Sequence, residues 1–372
     1  MLSHLRFLVL SRALVTIGWL FGGFYAPVIA AESASPSLTV ATPESQGMDG
    51  AALEQAVEDI GSGRYGDMNA LLVVRNGYLV LEHYRSPEYY GRAYRHPAKS
   101  ITKSVTSAVI GIVRGQGSLP PLDSRLADLL PAHADLIDRD PRKQKITLHH
   151  LLSMTAGFDW DELALGDNNE FKMMRTRDWI RYTLNQPMRD RPGERLEYNG
   201  GLSMMLSPIL RDSIDGDVVE FAREHLFDPI GLENWNWNLV NDNLVNTVSG
   251  LAMSRRDMAR IGVLYLNRGR WGDRQLIPAD WVDLSTATQA VGEGAYYPFA
   301  YGYQWWRMQD EAPAVARLRV NDAYFALGYG GQFIFIVPHL RLVVVSTASN
   351  LGSDVEMFLK LMRERVFPAT RL

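Results

Sequence analysis

The chain has 372 residues, 47% hydrophobic and 10% aromatic, with 38 Lys and Arg against 42 Asp and Glu and no cysteine. That length holds one large domain or two smaller ones around a sizeable core, and the aromatic content excludes a disordered chain. A net charge of −4 without long runs of either sign argues against a nucleic-acid footprint, and the missing cysteines remove thiol nucleophiles, disulfides, Cys-ligated zinc and iron–sulfur clusters.

Residues 1–30 read as a secretory signal peptide. Met1 to Arg12 carries two arginines and no acid, Ala13 to Ala31 carries no charge, and Val28-Ile29-Ala30 or Ile29-Ala30-Ala31 offers small residues for cleavage. The alternative is an uncleaved N-terminal anchor, but Gly18, Gly22, Gly23 and Pro27 interrupt the run. The expectation is an exported protein, periplasmic or secreted. Residues 31–47, rich in Ser, Pro, Thr and Ala, read as a linker, which leaves 48–372 as the folded domain.

Asp49 is placed to cap a helix carrying Leu53, Ala56, Val57 and Ile60 on one face. Leu71–Val74 and Tyr78–Leu81, joined by Asn76-Gly77, carry a strong hairpin signal. A matching pair, Phe333–Val337 and Leu342–Ser346, lies near the other end and is followed by a helix with Met357, Phe358, Leu361, Met362 and Val366. Between them residues 100–290 read mainly as helices, among them Ile101–Arg114, Leu148–Met154, Thr176–Leu184, Val218–Phe227 and Arg256–Asn267. The pattern predicts an α/β (α+β) fold. One antiparallel sheet is built from both chain ends (about 48–99 and 291–372), with a mainly helical lobe inserted at about 100–290.

Several motifs fail on context. Gly61-Ser62-Gly63-Arg64-Tyr65-Gly66 spells GxGxxG but follows a helix and precedes a strand, the reverse of a dinucleotide fingerprint. GxxxxGK, HExxH and GxSxG do not occur, and His149 and His150 are adjacent, so they diverge on a helix. His150 reads as structural. No cofactor and no metal are expected.

Ser100-Ile101-Thr102-Lys103 spells SxxK. It opens a helix whose apolar face is Ile101, Val105, Val109 and Ile112, and a three-residue spacing puts Ser100 and Lys103 on one face with Ser100 at the N-terminal end. There the positive end of the helix dipole favours a developing oxyanion. A lysine one turn deeper can lose its proton or hold a neighbouring base anionic.

Two later segments complete a pattern. Pro192-Gly193-Glu194-Arg195-Leu196-Glu197-Tyr198-Asn199-Gly200-Gly201 resembles the Tyr-x-Asn element, and Gly328-Tyr329-Gly330-Gly331-Gln332 the third element, of serine hydrolases related to class C β-lactamases and DD-peptidases. Within that family the chain is most similar to the esterase and 6-aminohexanoate-dimer hydrolase branch. Framework matches at Ile146–Gly157, Leu226–Leu232 and Tyr301–Trp306 extend the resemblance from about residue 43 to the C-terminus. It implies a β-lactamase/transpeptidase-like fold.

Two departures stand out. The third position of Tyr-x-Asn is Gly200, with no side chain to bond the lysine or substrate, and Gly328–Gln332 replaces the Lys-Thr-Gly that reads a carboxylate in penicillin-type substrates. The resemblance and the chemistry together assign Ser100 as nucleophile, Lys103 as the cation that stabilises a Tyr198 phenolate, and Tyr198 as the base. The oxyanion would lie between the Ser100 N–H and one from the Tyr329-Gly330 strand edge, with Asn199 as a stand-in for the missing side chain. Trp235, Trp237, Tyr303, Trp305 and Trp306 are candidates to line an apolar cleft, although alternation at Tyr301, Tyr303 and Trp305 also fits an ordinary half-buried strand. The expected activity is hydrolysis of a small-molecule ester or amide through an acyl-enzyme. The alternatives are a DD-peptidase or β-lactamase, or a non-catalytic cell-envelope binding protein of the same fold. No nucleic-acid partner is expected, and no membrane partner once the leader is cleaved.

Overall fold

Asn76 and Gly77 turn the chain with φ of 53° and 87°, a backbone that Asn and Gly tolerate best. The turn joins the first two strands in a computed structural model that describes residues 38–370, apart from Leu165, Asp215, Asp242, Tyr297, 310–319 and 351–354. Among the described residues one antiparallel sheet comprises β1 (Met68–Arg75), β2 (Tyr78–Tyr84), β3 (Ala290–Val291), β4 (Phe299–Tyr301), β5 (Trp306–Met308), β6 (Tyr324–Gly328), β7 (Gln332–Val337) and β8 (Leu342–Ala348). Their spatial order is β3-β4-β5-β6-β7-β8-β1-β2, so the first and last strands pair in its interior, Leu72 opposite Val345 and Val73 opposite Val344. This is the sheet from both chain ends that the hairpin signals imply.

The sheet is covered on both faces, which is why β7 and β8 are buried at every position without alternation. The helices that matter are α1 (Gly50–Gly61), α2 (Ile101–Gly115), α3 (Asn169–Met174), α4 (Gly200–Ile214), α5 (Arg255–Leu266) and α6 (Val355–Leu361). Phe358 of α6 stacks on Phe333 with ring centroids 4.1 Å apart, while Gly262 of α5 comes so close to Ile334 and Val343 that a side chain would collide with them. Neighbouring residues of β7 therefore serve opposite layers. Every residue of α2 from Ile101 to Val113 is buried, which makes it the central helix of the molecule.

Asp49 caps α1 by accepting from the Ala52 N–H, as its position predicts. Other stretches differ from expectation. The segment read as a linker is seated on the sheet from Leu38 onward: the Leu79 N–H donates to Thr39 O and the Ala41 N–H to Leu79 O, because the outer edge of β2 offers unpaired backbone groups. Thr176–Leu184 becomes helical only at Trp179, where Asp178 caps it, and Val218–Phe227 is helical to Ala222 before widening. The long α4 is not apparent in the sequence, since Gly200-Gly201 and an internal Pro208 argue against a helix. The leader over residues 1–30 lies outside the described residues. Among those described, no helix is long and apolar enough to cross a membrane.

Candidate active site

The chain enters the site through His96-Pro97, which pairs with Ala252 and Met253. Arg255, wholly buried, ties this segment down: its guanidinium donates to Tyr94 O at 3.3 Å and to Thr347 Oγ1 at 3.2 Å. Lys99 then takes φ of 54°, unusual for a residue with a Cβ, and the sharp turn sets Ser100 at the N-terminus of α2. Lys103 follows one turn on, 1% exposed, with Nζ 3.0 Å from Ser100 Oγ and 3.1 Å from Val248 O.

Tyr198 completes the group from a different element. Its N–H donates to Tyr296 Oη at 3.1 Å, and its ring stacks on Trp306 at 5.1 Å and meets Tyr301 edge-on at 5.8 Å. Lys103 Nζ lies over this ring, 4.9 Å from its centroid. Burial pushes the Tyr198 phenol well above its ordinary range, the Glu162 and Glu170 carboxyls push the same way, and hydrogen bonding with Ser100 opposes them. The structure brings Ser100, Lys103 and Tyr198 together. Burial thus works against the phenolate expected from the sequence, and Lys103 meets the ring face of Tyr198.

Asn199 does not stand in for the missing side chain. Its Oδ1 accepts the Gly201 N–H at 2.8 Å and also faces the Leu202 N–H at 3.4 Å, so it caps α4. The gap at Gly200 is occupied instead by Glu162, whose Oε2 accepts the Gly200 N–H, and by Glu170 beside it. Burial and Glu170 push the Glu162 carboxyl up to about 8, against the pull of Lys103. No motif announces either glutamate; the absent side chain at 200 is the only trace in the sequence.

Gly328–Gln332 also differs from the expected strand edge. Gly328 ends β6, Gln332 opens β7, and Tyr329-Gly330-Gly331 is the tight turn between them, with φ of 90° and 91° at the two glycines. Gly328 passes so close to Ala98 O and the Lys99 side chain that only glycine fits. Buried Gln332 fixes the turn: its Nε2 donates to Tyr329 O at 3.1 Å and Ala348 O at 2.8 Å, while its Oε1 accepts from His96 Nε2 at 2.8 Å. Among the described residues no acceptor takes the N–H of Ser100 or of Tyr329.

The group opens on a cleft with two arms that share Ser100, Glu162, Leu163, Glu170 and Tyr329. One, of about 240 Å³, is walled by Tyr296, Phe299, Trp306, Leu327 and Val355; the other, of about 470 Å³, by Lys99, Asn168, Phe171, Met174 and Ser249. Of the aromatic candidates only Trp306 lines this cleft. Trp305 packs on Tyr265, Trp235 and Trp237 on Phe227, and Tyr303 Oη meets His149 Nδ1 at 2.7 Å. His150 Nδ1 accepts the Thr147 N–H at 3.0 Å in a capping box, a structural role. Among the described residues no group of three or more His, Asp and Glu could hold a metal ion.

A family model described as Beta-lactamase matches residues 44–366. No curated protein matches the chain in sequence. Solved structures are similar in fold. One assigned as a 6-aminohexanoate-dimer hydrolase from Bacillus anthracis superposes with a TM-score of 0.67 at 21% identity, over 84% of this chain and 80% of its own. EstCE1, a hydrolase with promiscuous acyltransferase activity, gives 0.69 at 13% identity over 87% and 98%. A penicillin-binding protein homologue from Caulobacter crescentus gives 0.68 at 16% identity over 86% and 97%.

Proposed function

The chain belongs to the Beta-lactamase family, and on that premise we propose that it cleaves an ester or small amide through an acyl-enzyme on Ser100. The observation that carries the reading is the 3.0 Å contact between Lys103 Nζ and Ser100 Oγ at the head of a buried helix.

Ser100 Oγ attacks the carbonyl carbon as its proton passes to Lys103 Nζ, 3.0 Å away. The carbonyl electron pair moves to oxygen, and the N–H groups of Ser100 and Tyr329, unclaimed by any described acceptor, are the donors available to it. As the tetrahedral centre collapses, the bond to the leaving group breaks and Tyr198, held as a phenol, supplies that group's proton and is reprotonated through Lys103. Water then repeats the sequence on the acyl-enzyme and releases the acid. The two arms of the cleft take the portions on either side of the scissile bond, the aromatic arm favouring an apolar one. With residues 1–30 read as a leader, the reaction takes place outside the cytoplasm.

A fluorophosphonate probe tests the reading. Mass spectrometry should find the adduct on Ser100, and Ser100→Ala should abolish labelling and turnover while melting as the parent does. An adduct on another serine sinks the assignment, and a chain that never labels and turns over no ester favours the binding-protein alternative.

A further inference from the structure

The space beside Gly200 is filled by three neighbours. A Cβ there would meet Val248 Cγ1 at 2.9 Å, Glu170 Oε1 at 3.2 Å and Glu162 Oε2 at 3.3 Å. Glu162 Oε2 accepts two N–H groups, from Gly200 at 2.5 Å and from the Trp160 indole at 3.0 Å. Val248, the third neighbour, gives its carbonyl to Lys103 Nζ. The Glu162 carboxyl therefore occupies the volume that a side chain at 200 would fill, along the same cleft as Ser100 and Tyr198.

We infer that Glu162 is a positioning residue that supplies, as a neutral carboxylic acid, the paired donor and acceptor that an amide side chain at position 200 would bring to the site. A protonated carboxyl resembles a primary amide in this respect, with one O–H donor and remaining acceptor capacity, whereas a carboxylate only accepts. With Oε2 engaged by two N–H groups, Oε1 is the oxygen left to carry the proton. The titratable groups facing it are Lys103 of α2, Glu170 of α3, Tyr198 at the entry to α4, Tyr296 of the aromatic wall, and Tyr301, which packs edge-on against Tyr198. Burial and Glu170 hold its proton on until about pH 8. Above that the donor is lost, and a negative charge appears beside the phenol and the developing oxyanion. Turnover should be present below about 8 and decline as pH rises through it.

The inference rests on Ser100 as the nucleophile, and the test separates the two. kcat/KM for a p-nitrophenyl ester is followed from pH 6 to 10, after subtraction of spontaneous hydrolysis. Wild type should lose about tenfold between pH 7 and 9. Glu162→Leu should be down at least about tenfold at pH 7, and Glu162→Gln, which restores donor and acceptor, should recover most of that loss with a profile level to pH 9. Glu170→Gln leaves Glu162 in place and should move the alkaline limb to lower pH, since it removes the charge that keeps the Glu162 proton on. This variant decides the question if the Glu162 variants fail to fold. An alkaline limb unchanged in Glu162→Gln or in Glu170→Gln, while Ser100→Ala abolishes labelling, overturns the role of Glu162 alone. Labelling that persists in Ser100→Ala overturns the nucleophile and this inference with it.

Discussion

Lys103 Nζ lies over the face of the Tyr198 ring, 4.9 Å from its centroid, and meets Ser100 Oγ at 3.0 Å. With burial pushing the phenol upward, Tyr198 suits the proton-donor role it has in the proposed sequence.

A donor matters only when the leaving group needs a proton. Tyr198→Phe keeps the stack on Trp306 and removes the hydroxyl. Hydrolysis of an alkyl ester or an amide should fall about a thousandfold, and that of a p-nitrophenyl ester far less, because p-nitrophenolate departs unprotonated. On the amide, Lys103→Ala combined with Tyr198→Phe should cost little more than either change alone, as expected of residues acting as a unit. Equal losses on both leaving groups would remove Tyr198 from the donor role.

Gln332 offers a second test, remote from the bond-making atoms. Its side chain joins His96, before the nucleophile, to the carbonyl of Tyr329 in the turn across the cleft. Gln332→Leu fills the space but strands those partners, so stability should drop by about 1–3 kcal/mol in urea unfolding. The loosened turn should lower kcat more than it raises KM. An unchanged urea midpoint would mean that the turn is held by other contacts.

Both hairpins, the Asp49 cap and the central helix were legible because each is written locally: Asn-Gly at a turn, a carboxyl ahead of an apolar stripe, a four-residue periodicity. Ser100 and Lys103 were legible for the same reason, one turn apart on one helix. Glu162 and Gln332 were not, since each acquires its partners across long stretches of chain, 38 residues to Gly200 and 236 to His96. Nor was the α4 cap, because Asn199 beside Tyr198 reads equally well as a cleft residue until the helix behind it is seen.

Acid should destabilise the molecule through His96. Its Nε2 donates to Gln332, its Nδ1 is buried without a partner, and burial, with the nearby Arg255 charge, lowers it to about 4. The unfolded chain, titrating near 6.5, binds the proton first, so stability is lost as pH falls from about 6.5 to about 4, by up to about 3 kcal/mol. In His96→Asn the slope of unfolding free energy against pH in this window should flatten. A slope identical to that of wild type would place the acid sensitivity elsewhere.

The substrate preference follows from charge around the nucleophile. The Tyr329-Gly330-Gly331 turn presents no basic side chain where the family's Lys-Thr-Gly would grip a carboxylate, and Lys99, on the other side of Ser100, shares its arm of the cleft with Glu162 and Glu170. A substrate carboxylate thus loses one charge-assisted contact, worth about 1.5–3 kcal/mol or roughly ten- to a hundredfold, and meets the Glu170 carboxyl as well. An uncharged ester loses neither and carries the better leaving group. Short-chain p-nitrophenyl esters should therefore be hydrolysed with a kcat/KM at least about a hundred times that for a chromogenic cephalosporin. A preference for the cephalosporin would replace the esterase reading with a β-lactamase, and Lys99→Ala would then show whether that lysine had taken over the carboxylate.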